Sequence, residues 1–362
     1  MSDLQLSLLV IGAVVVGAVY LYNGLQERRF RRRMQQAFGS AYDDVLLKAG
    51  VESALADGRL EPQIVPPWTE LDDDGPPAGA PKREGQAAAA GFDPLLDYVA
   101  EINSDAPIAD AAISELASKL ASCGKPIQFA GFDSRAGAWI DIARGDEGRY
   151  ARLSLALQLV NRAGPVNPAQ LALFGDAVKA CANRISAQAT LPETQSALKR
   201  ARELDAFCAG VDVAIGVNVV AEGGGMFPGA RIRELAQAAG FKLEPDGVFH
   251  YRDEHRQTLF TLDNHEPAPF LPERIQGLTT RGITLLLDVP RAAAGIDVLD
   301  RMIGIANGFT AALGGRLVDD NRAVLSESGI ARIREQVRSI HAAMEAYGIP
   351  AGGARALRLF SG

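Results

Sequence analysis

The sequence predicts an α+β protein: an N-terminal transmembrane helix, then tandem split β-α-β type domains, each an antiparallel sheet covered by helices on one face. Three observations carry this reading. Residues 4–22 form an apolar run of 19 residues, interrupted only by Gln5 and Ser7, with no charge between Asp3 and Glu27. From Phe92 onward the same order of strands and helices occurs twice. Hairpin pairs of strands lie between the helices, which fits α+β units better than one large doubly wound α/β domain, the competing arrangement.

The first element is the apolar run. At ~1.5 Å rise per residue a helix over it is ~28 Å long, close to the hydrocarbon thickness of a bilayer. Leu4, Val10, Val15, Tyr20 and Tyr22 are assigned to the span, with the two tyrosines suited to an interfacial aromatic belt. Ala13 and Gly17 make a small-xxx-small pair able to pack two spans together. Arg28, Arg29, Arg31, Arg32 and Arg33 follow on the C-terminal side only. The positive-inside rule puts that side in the cytoplasm, where the guanidinium groups suit anionic lipid headgroups. A secretory signal peptide would need a basic start, a shorter core and a small-x-small cleavage site. Here Asp3 precedes the core, and Val19-Tyr20-Leu21-Tyr22 ends it.

Charge narrows the partners. The chain carries a net −7, and its first 33 residues hold five arginines against Asp3 and Glu27, so the remainder is near −10. An acidic body argues against nucleic acid, whose phosphates need clustered Lys and Arg. Cys123, Cys181 and Cys208 are odd in number, widely spaced and set in apolar helical patterns, as expected of reduced core thiols.

Four regions follow: 1–33, anchor and basic segment; 34–91, a helical extension and a Pro/Ala/Asp-rich linker; and two domains, 92–209 and 210–362. The linker holds Pro66-Pro67, Asp72-Asp73-Asp74-Gly75-Pro76-Pro77 and an alanine run at 87–90, too rich in Pro, Gly, Ala and charge to bury a core. In the second domain strands are expected at 212–220, 248–251, 258–263, 283–289 and 316–318, with helices at 228–239, 295–313 and 326–347. In the first, strands are expected at 95–102, 129–133, 138–142 and 153–160, with helices at 109–121, 168–185 and 193–209. The hairpin 129–133/138–142 matches 249–253/258–262 at an offset of 120, and 153–160 matches 283–290 at an offset of 130. This shared order reads as an internal duplication.

Catalytic chemistry finds no support. His250, Asp253, His255 and His265 fall in one hairpin and its exit, but neighbouring strand positions face opposite sides and no zinc-ligand spacing occurs. With His341 these are all the histidines, so no metal site is expected. Glu222-Gly223-Gly224-Gly225 lacks the Lys-Ser/Thr of a P-loop and the Gly-x-Gly-x-x-Gly register of a dinucleotide site. No nucleophile motif occurs, so neither an enzyme nor a cofactor is expected. What remains is a sheet with one free face. Ala214, Ile215, Val217, Val219, Val248 and Leu285-Leu286-Leu287 put apolar side chains on both faces, a mark of a protein-binding surface. The alternative is that the two domains, or two molecules, bury these faces against each other.

At this point the second domain resembles a known family. Val217-Asn218-Val219-Val220-Ala221, Leu259-Phe260-Thr261-Leu262, Phe270-Leu271-Pro272, 277–284 (GLTTRGIT), Asp288-Val289-Pro290 and 317–322 (LVDDNR) follow, in order and spacing, the C-terminal domain of ZipA-type cell-division proteins. The resemblance covers about residues 212–347, and the N-terminal span with its basic cluster agrees. It implies an adaptor in the cell inner membrane, N-terminus periplasmic and domains cytoplasmic, recruited to midcell. The expected partner is the C-terminal tail of FtsZ, docked on the open sheet face. Carried over by position, that face presents Ala214, Gly216, Val248, Asp263, His265 and Leu286, with Asp246 at the rim. Gly216, Asp246 and His265 stand where the best-known members have bulky apolar residues. Residues 92–209 stand where those members have only linker. The alternative function is a membrane-linked scaffold whose domains pair with each other, self-associate or bind another partner.

Overall fold

The computed structural model describes residues 90–142, 150–320 and 322–361, all within the compact unit Gly79–Gly362. The expected span, the arginine cluster and the linker up to residue 89 lie outside the described residues. Among the described residues no helix is long and apolar enough to cross a membrane.

The first lobe runs β1 (Asp97–Ile108), α1 (Asp110–Leu120), β2 (Ile127–Asp133), β3 (Ala138–Asp141), β4 (Tyr150–Gln158), α2 (Pro168–Arg184), β5 (Gln188–Thr190) and α3 (Thr194–Val211). Its sheet has the order β3-β2-β4-β1-β5. Both β1 and β2 run antiparallel to β4, so they are parallel to each other with β4 between them, which makes a split β-α-β unit. Alternation sets the inner face. Tyr98, Ala100 and Ile102 lie opposite Leu157, Leu155 and Leu153, and all are buried. They share one apolar cluster with Ile113 and Leu116 of α1 and Leu171, Phe174 and Val178 of α2. A capping box, with Asn167 and Gln170 bonding each other's backbone N–H, starts α2 just before Pro168.

The second lobe runs β6 (Ala214–Ala221), α4 (Gly229–Ala238), β7 (Lys242–Leu243), β8 (Phe249–Arg252), β9 (Thr258–Asn264), β10 (Gly282–Asp288), α5 (Gly295–Leu313), β11 (Gly315–Val318), α6 (Glu327–Ala346) and α7 (Ala354–Leu359). Its sheet has the order β7-β8-β9-β10-β6-β11, again antiparallel throughout. Here β6 and β9 flank β10, giving a second split β-α-β unit. Ile215, Val217, Val219, Ile283, Leu285, Leu287, Phe260 and Leu262 point inward, and with Leu299, Met302 and Phe309 of α5 and Val337 and Met344 of α6 they belong to the same buried cluster.

One part of the expected repeat changes. The strand beside the central β4 is β2, the first of its hairpin, whereas the strand beside β10 is β9, the second. The match of 129–133 to 249–253 therefore holds in chain order and not in sheet position. What recurs is the split β-α-β unit, with its hairpin strands in the opposite order.

The two lobes share a core, since a single apolar cluster runs from Leu96 to Phe360. Their seam is also polar. Arg162 Nη2 donates to Asp212 at 2.8 Å and Asp288 at 2.7 Å, joining the exit of β4 to the one end of the β6/β10 ladder where β6 begins and β10 ends. Phe207 of α3 stacks on Tyr347 after α6, with ring centroids 3.9 Å apart. The short α7 acts as a clasp: Arg355 pairs with Asp93, and Arg358 grips Asp97, whose side chain is fully buried. Gln158 donates to the Arg358 carbonyl and Arg291 to that of Phe360, so α7 is tied to both lobes.

Candidate functional site

In the second lobe the side of the sheet away from the helices stays half open. Ala214, Gly216 and Val220 on β6, Thr284 and Leu286 on β10, and Leu259, Thr261 and Asp263 on β9 are each partly exposed. Register brings them side by side: Leu286 lies between Gly216 and Thr261, Thr284 between Asn218 and Asp263, and Ala214 lies opposite Asp288. The apolar centre of this face is Leu286. Beside it Gly216 has no side chain to cover the strand, and a Cβ there would meet Asp320 Oδ1 at 2.9 Å.

The seven residues expected on the face fall in one region. Ala214, Gly216, Asp263 and Leu286 share it by strand parity. His265 is exposed just past β9, and its Nδ1 lies 3.2 Å from Thr284 Oγ1. Val248 immediately precedes β8 and is half-buried, and its N–H donates to Asp246 Oδ1. Asp246 sits exposed at the rim, with its other oxygen 3.0 Å from His250 Nε2.

The face is more polar than its leucines suggest. Thr284 Oγ1 donates to Asn218 Oδ1 at 2.6 Å, and Asn218 Nδ2 donates to Asp320 Oδ1 at 3.0 Å. With the Thr284 proton committed to Asn218, His265 Nδ1 must be the donor to Thr284. The result is a directed chain, His265 to Thr284 to Asn218 to Asp320, crossing β10 and β6 and ending on a carboxylate. A parallel alternation hides this chain in the sequence: inward Leu285 and Leu287 flank outward Leu286, so 285–287 reads as uniformly apolar. The sequence motifs that contain Asn218 and Asp320 give neither a site role, because an asparagine inside an apolar strand and an aspartate beyond its neighbour show no local pattern.

Burial pushes the Asp263 carboxyl above the ordinary aspartate range. The Asn264 N–H that it accepts opposes the shift, and the nearby Asp246 charge adds to it. Burial acts on Asp246 in the same direction, but the Val248 N–H and the His250 ring outweigh it and hold that carboxyl below its usual value.

The other sequence candidates take structural places. Asp253 accepts the Gln257 N–H in the β8–β9 turn, and His255 is exposed at the tip. His341 lies in α6, with Nε2 3.3 Å from the Val289 carbonyl. Among the described residues no group of three His, Cys, Asp or Glu is placed to hold a metal ion. Gly223 and Gly224 adopt left-handed φ values of 60° and 78° in the connection from β6 to α4, a backbone need that explains the glycine run without a phosphate. The three cysteines are buried and unbridged, and burial pushes the Cys208 thiol up to about 12.

This geometry lies inside a stretch with known counterparts. Residues 213–336 match the family described as ZipA, C-terminal FtsZ-binding domain. Proteins named cell division protein ZipA align with the chain: one of Marinobacter nauticus, 28% identical over 34% of this chain and 37% of its own length; one of Shewanella loihica, 30% identical over 33% and 38%; and one of Pseudomonas putida, 24% identical over 59% and 66%. The chain thus spans between about one third and just under two thirds of the length of these relatives. In its second lobe, over residues 213–336, the chain is similar to the C-terminal domain of ZipA proteins.

Proposed function

We propose that the protein is an adaptor of bacterial cell division whose second lobe binds the C-terminal tail of FtsZ on the open face of its sheet. The supporting observation is that face itself, with Leu286 half-exposed between Gly216 and Thr261 inside the stretch that matches the FtsZ-binding family. A sheet with one uncovered face and an apolar centre suits an extended or helical peptide that buries a few apolar side chains. Ala214, Gly216, Val248, Leu286 and Thr261 supply the apolar and close-approach surface. Asp246, Asp263 and His265 supply its polar edge. Residues 4–22 and the arginines at 28–33 are the proposed anchor in the inner membrane, with the lobes on the cytoplasmic side and the linker of 34–91 between them. Affinity for one tail is expected in the micromolar range, and many tethers on one filament would compensate through avidity.

The test is titration of the full chain, held in lipid nanodiscs, with the FtsZ C-terminal peptide. Leu286→Asp and Val248→Asp each put a carboxylate on the apolar part of the face and are expected to abolish binding. Unchanged dissociation constants in both variants, with the fold intact by circular dichroism, would remove this surface from the proposal.

A further inference from the structure

The corresponding face of the first sheet is not open. Val99, Glu101, Ser154, Ala156, Ala130, Phe132 and Trp139 share it by register. Ala90 and Phe92 pack onto it and are only 5% and 4% exposed; they form a separate apolar cluster with Ala130 and Ala156, with Val99 and Trp139 against them. The small side chains of Ala130 and Ala156 leave room for the Phe92 ring. The guanidinium of Arg152 closes the far end, 4.8 Å from the Phe132 ring centroid and 5.1 Å from that of Trp139.

The chain is held directly after this contact. The Asp93 N–H donates to Asp97 Oδ2, and the Asp93 carboxylate both accepts the Leu95 N–H and pairs with Arg355. Phe92 is thus a ring presented to a sheet face by a fixed backbone. One feature marks the fit as incomplete: among the described residues Ser154, 1% exposed and opposite Ala130, has no hydrogen-bond partner for its hydroxyl.

We propose that the outer face of the first sheet is a docking face filled in cis by Ala90–Phe92. The linker is thereby moored to the first lobe, and each chain keeps one vacant sheet face, that of the second lobe. The mooring stands on its own contacts, whereas the count of vacant faces rests on the function proposed above.

The test uses the full chain in nanodiscs with Trp68→Phe, which leaves Trp139 as the one tryptophan. Adding Phe92→Ala is expected to shift Trp139 emission to the red and to speed amide exchange in β2 and β4 about tenfold or more, since local opening no longer has to lift the ring. Ala130→Leu, which fills the space of the ring, is the second variant and is expected to do the same if Phe92→Ala folds poorly. FtsZ tail peptide is expected to bind the unsubstituted chain once. Unchanged emission and exchange in both variants would overturn the mooring, and so would two tails per unsubstituted chain. No tail bound, with the emission and exchange changes present, would overturn the function proposed for the second lobe and leave the mooring supported.

Discussion

Asp263 is the residue whose surroundings and placement are most at odds. It sits on the open face of the second sheet, already half-buried, and burial has raised its pKa. Its folded pKa lies above the unfolded one, so folding favours the neutral acid. That contribution is full below the unfolded pKa and is lost as pH rises through the folded value. Asp263→Asn keeps an acceptor for the Asn264 N–H and removes the ionisation. The variant is therefore expected to be more stable than the parent at pH 7, with the gain disappearing near pH 3; thermal unfolding at the two pH values checks this. Equal differences at both would show that the carboxylate is not penalised by burial. The same residue bears on docking. A peptide that covers it desolvates it further, so at neutral pH Asp263→Asn is expected to tighten tail binding, an effect that a titration at pH 7 would read directly.

At the scale of elements, α7 shows how six residues too short to persist alone are fixed by two arginines. Arg358 meets Asp97, whose side chain has no exposure, while Arg355 meets Asp93 from a side chain 38% exposed. Removing one partner of a buried pair strands a charge and costs about 3–5 kcal/mol, whereas a more exposed pair is worth about 1 kcal/mol or less. Arg358→Ala is thus expected to cost several-fold more in urea unfolding than Arg355→Ala, and equal losses would contradict the clasp. This helix also marks where the sequence stops being legible. The long helices α2, α5 and α6 carry their own periodicity, and α5 coincides with the expected 295–313. Neither α7 nor the three-residue edge strand β5 carries a period, and both exist through distant partners: Asp97 for one, and the β1 ladder for the other. The hairpins had the converse problem. Their strands were legible, but which strand lies beside β4 or β10 is fixed by pairing across the sheet, to which an offset of 120 residues is blind. On the candidate face, the family resemblance placed Gly216 and Leu286 together, yet the chain from His265 to Asp320 depends on a register that no local pattern encodes.

For the whole molecule, the question is whether two split β-α-β units make two domains or one. Their element orders invite the first answer, and the boundary expected near residue 210 falls in the last turn of α3, which only Asp212 and Val213 separate from β6. The contacts favour the second. A fragment starting at Asp212 would lose Arg162 from Asp288, Asp97 from Arg358, Asp93 from Arg355 and Phe207 from Tyr347. It would also expose the apolar surface that Val211, Leu204 and Leu96 share with the second lobe's cluster. Asp288 is the most telling case: burial raises its pKa, the Arg162 guanidinium opposes that rise, and without the arginine it would stay a poorly solvated acid at the end of β10. Lobes coupled this way are expected to unfold together. Trp139 reports on the first lobe alone in the Trp68→Phe chain, while far-ultraviolet circular dichroism reports on both. Coincident urea midpoints for the two signals are the expected outcome, and Arg162→Ala is expected to lower both by the same amount. A Trp139 transition separated from the dichroism transition would instead mean two independent domains, with the seam through Arg162 and α7 contributing little.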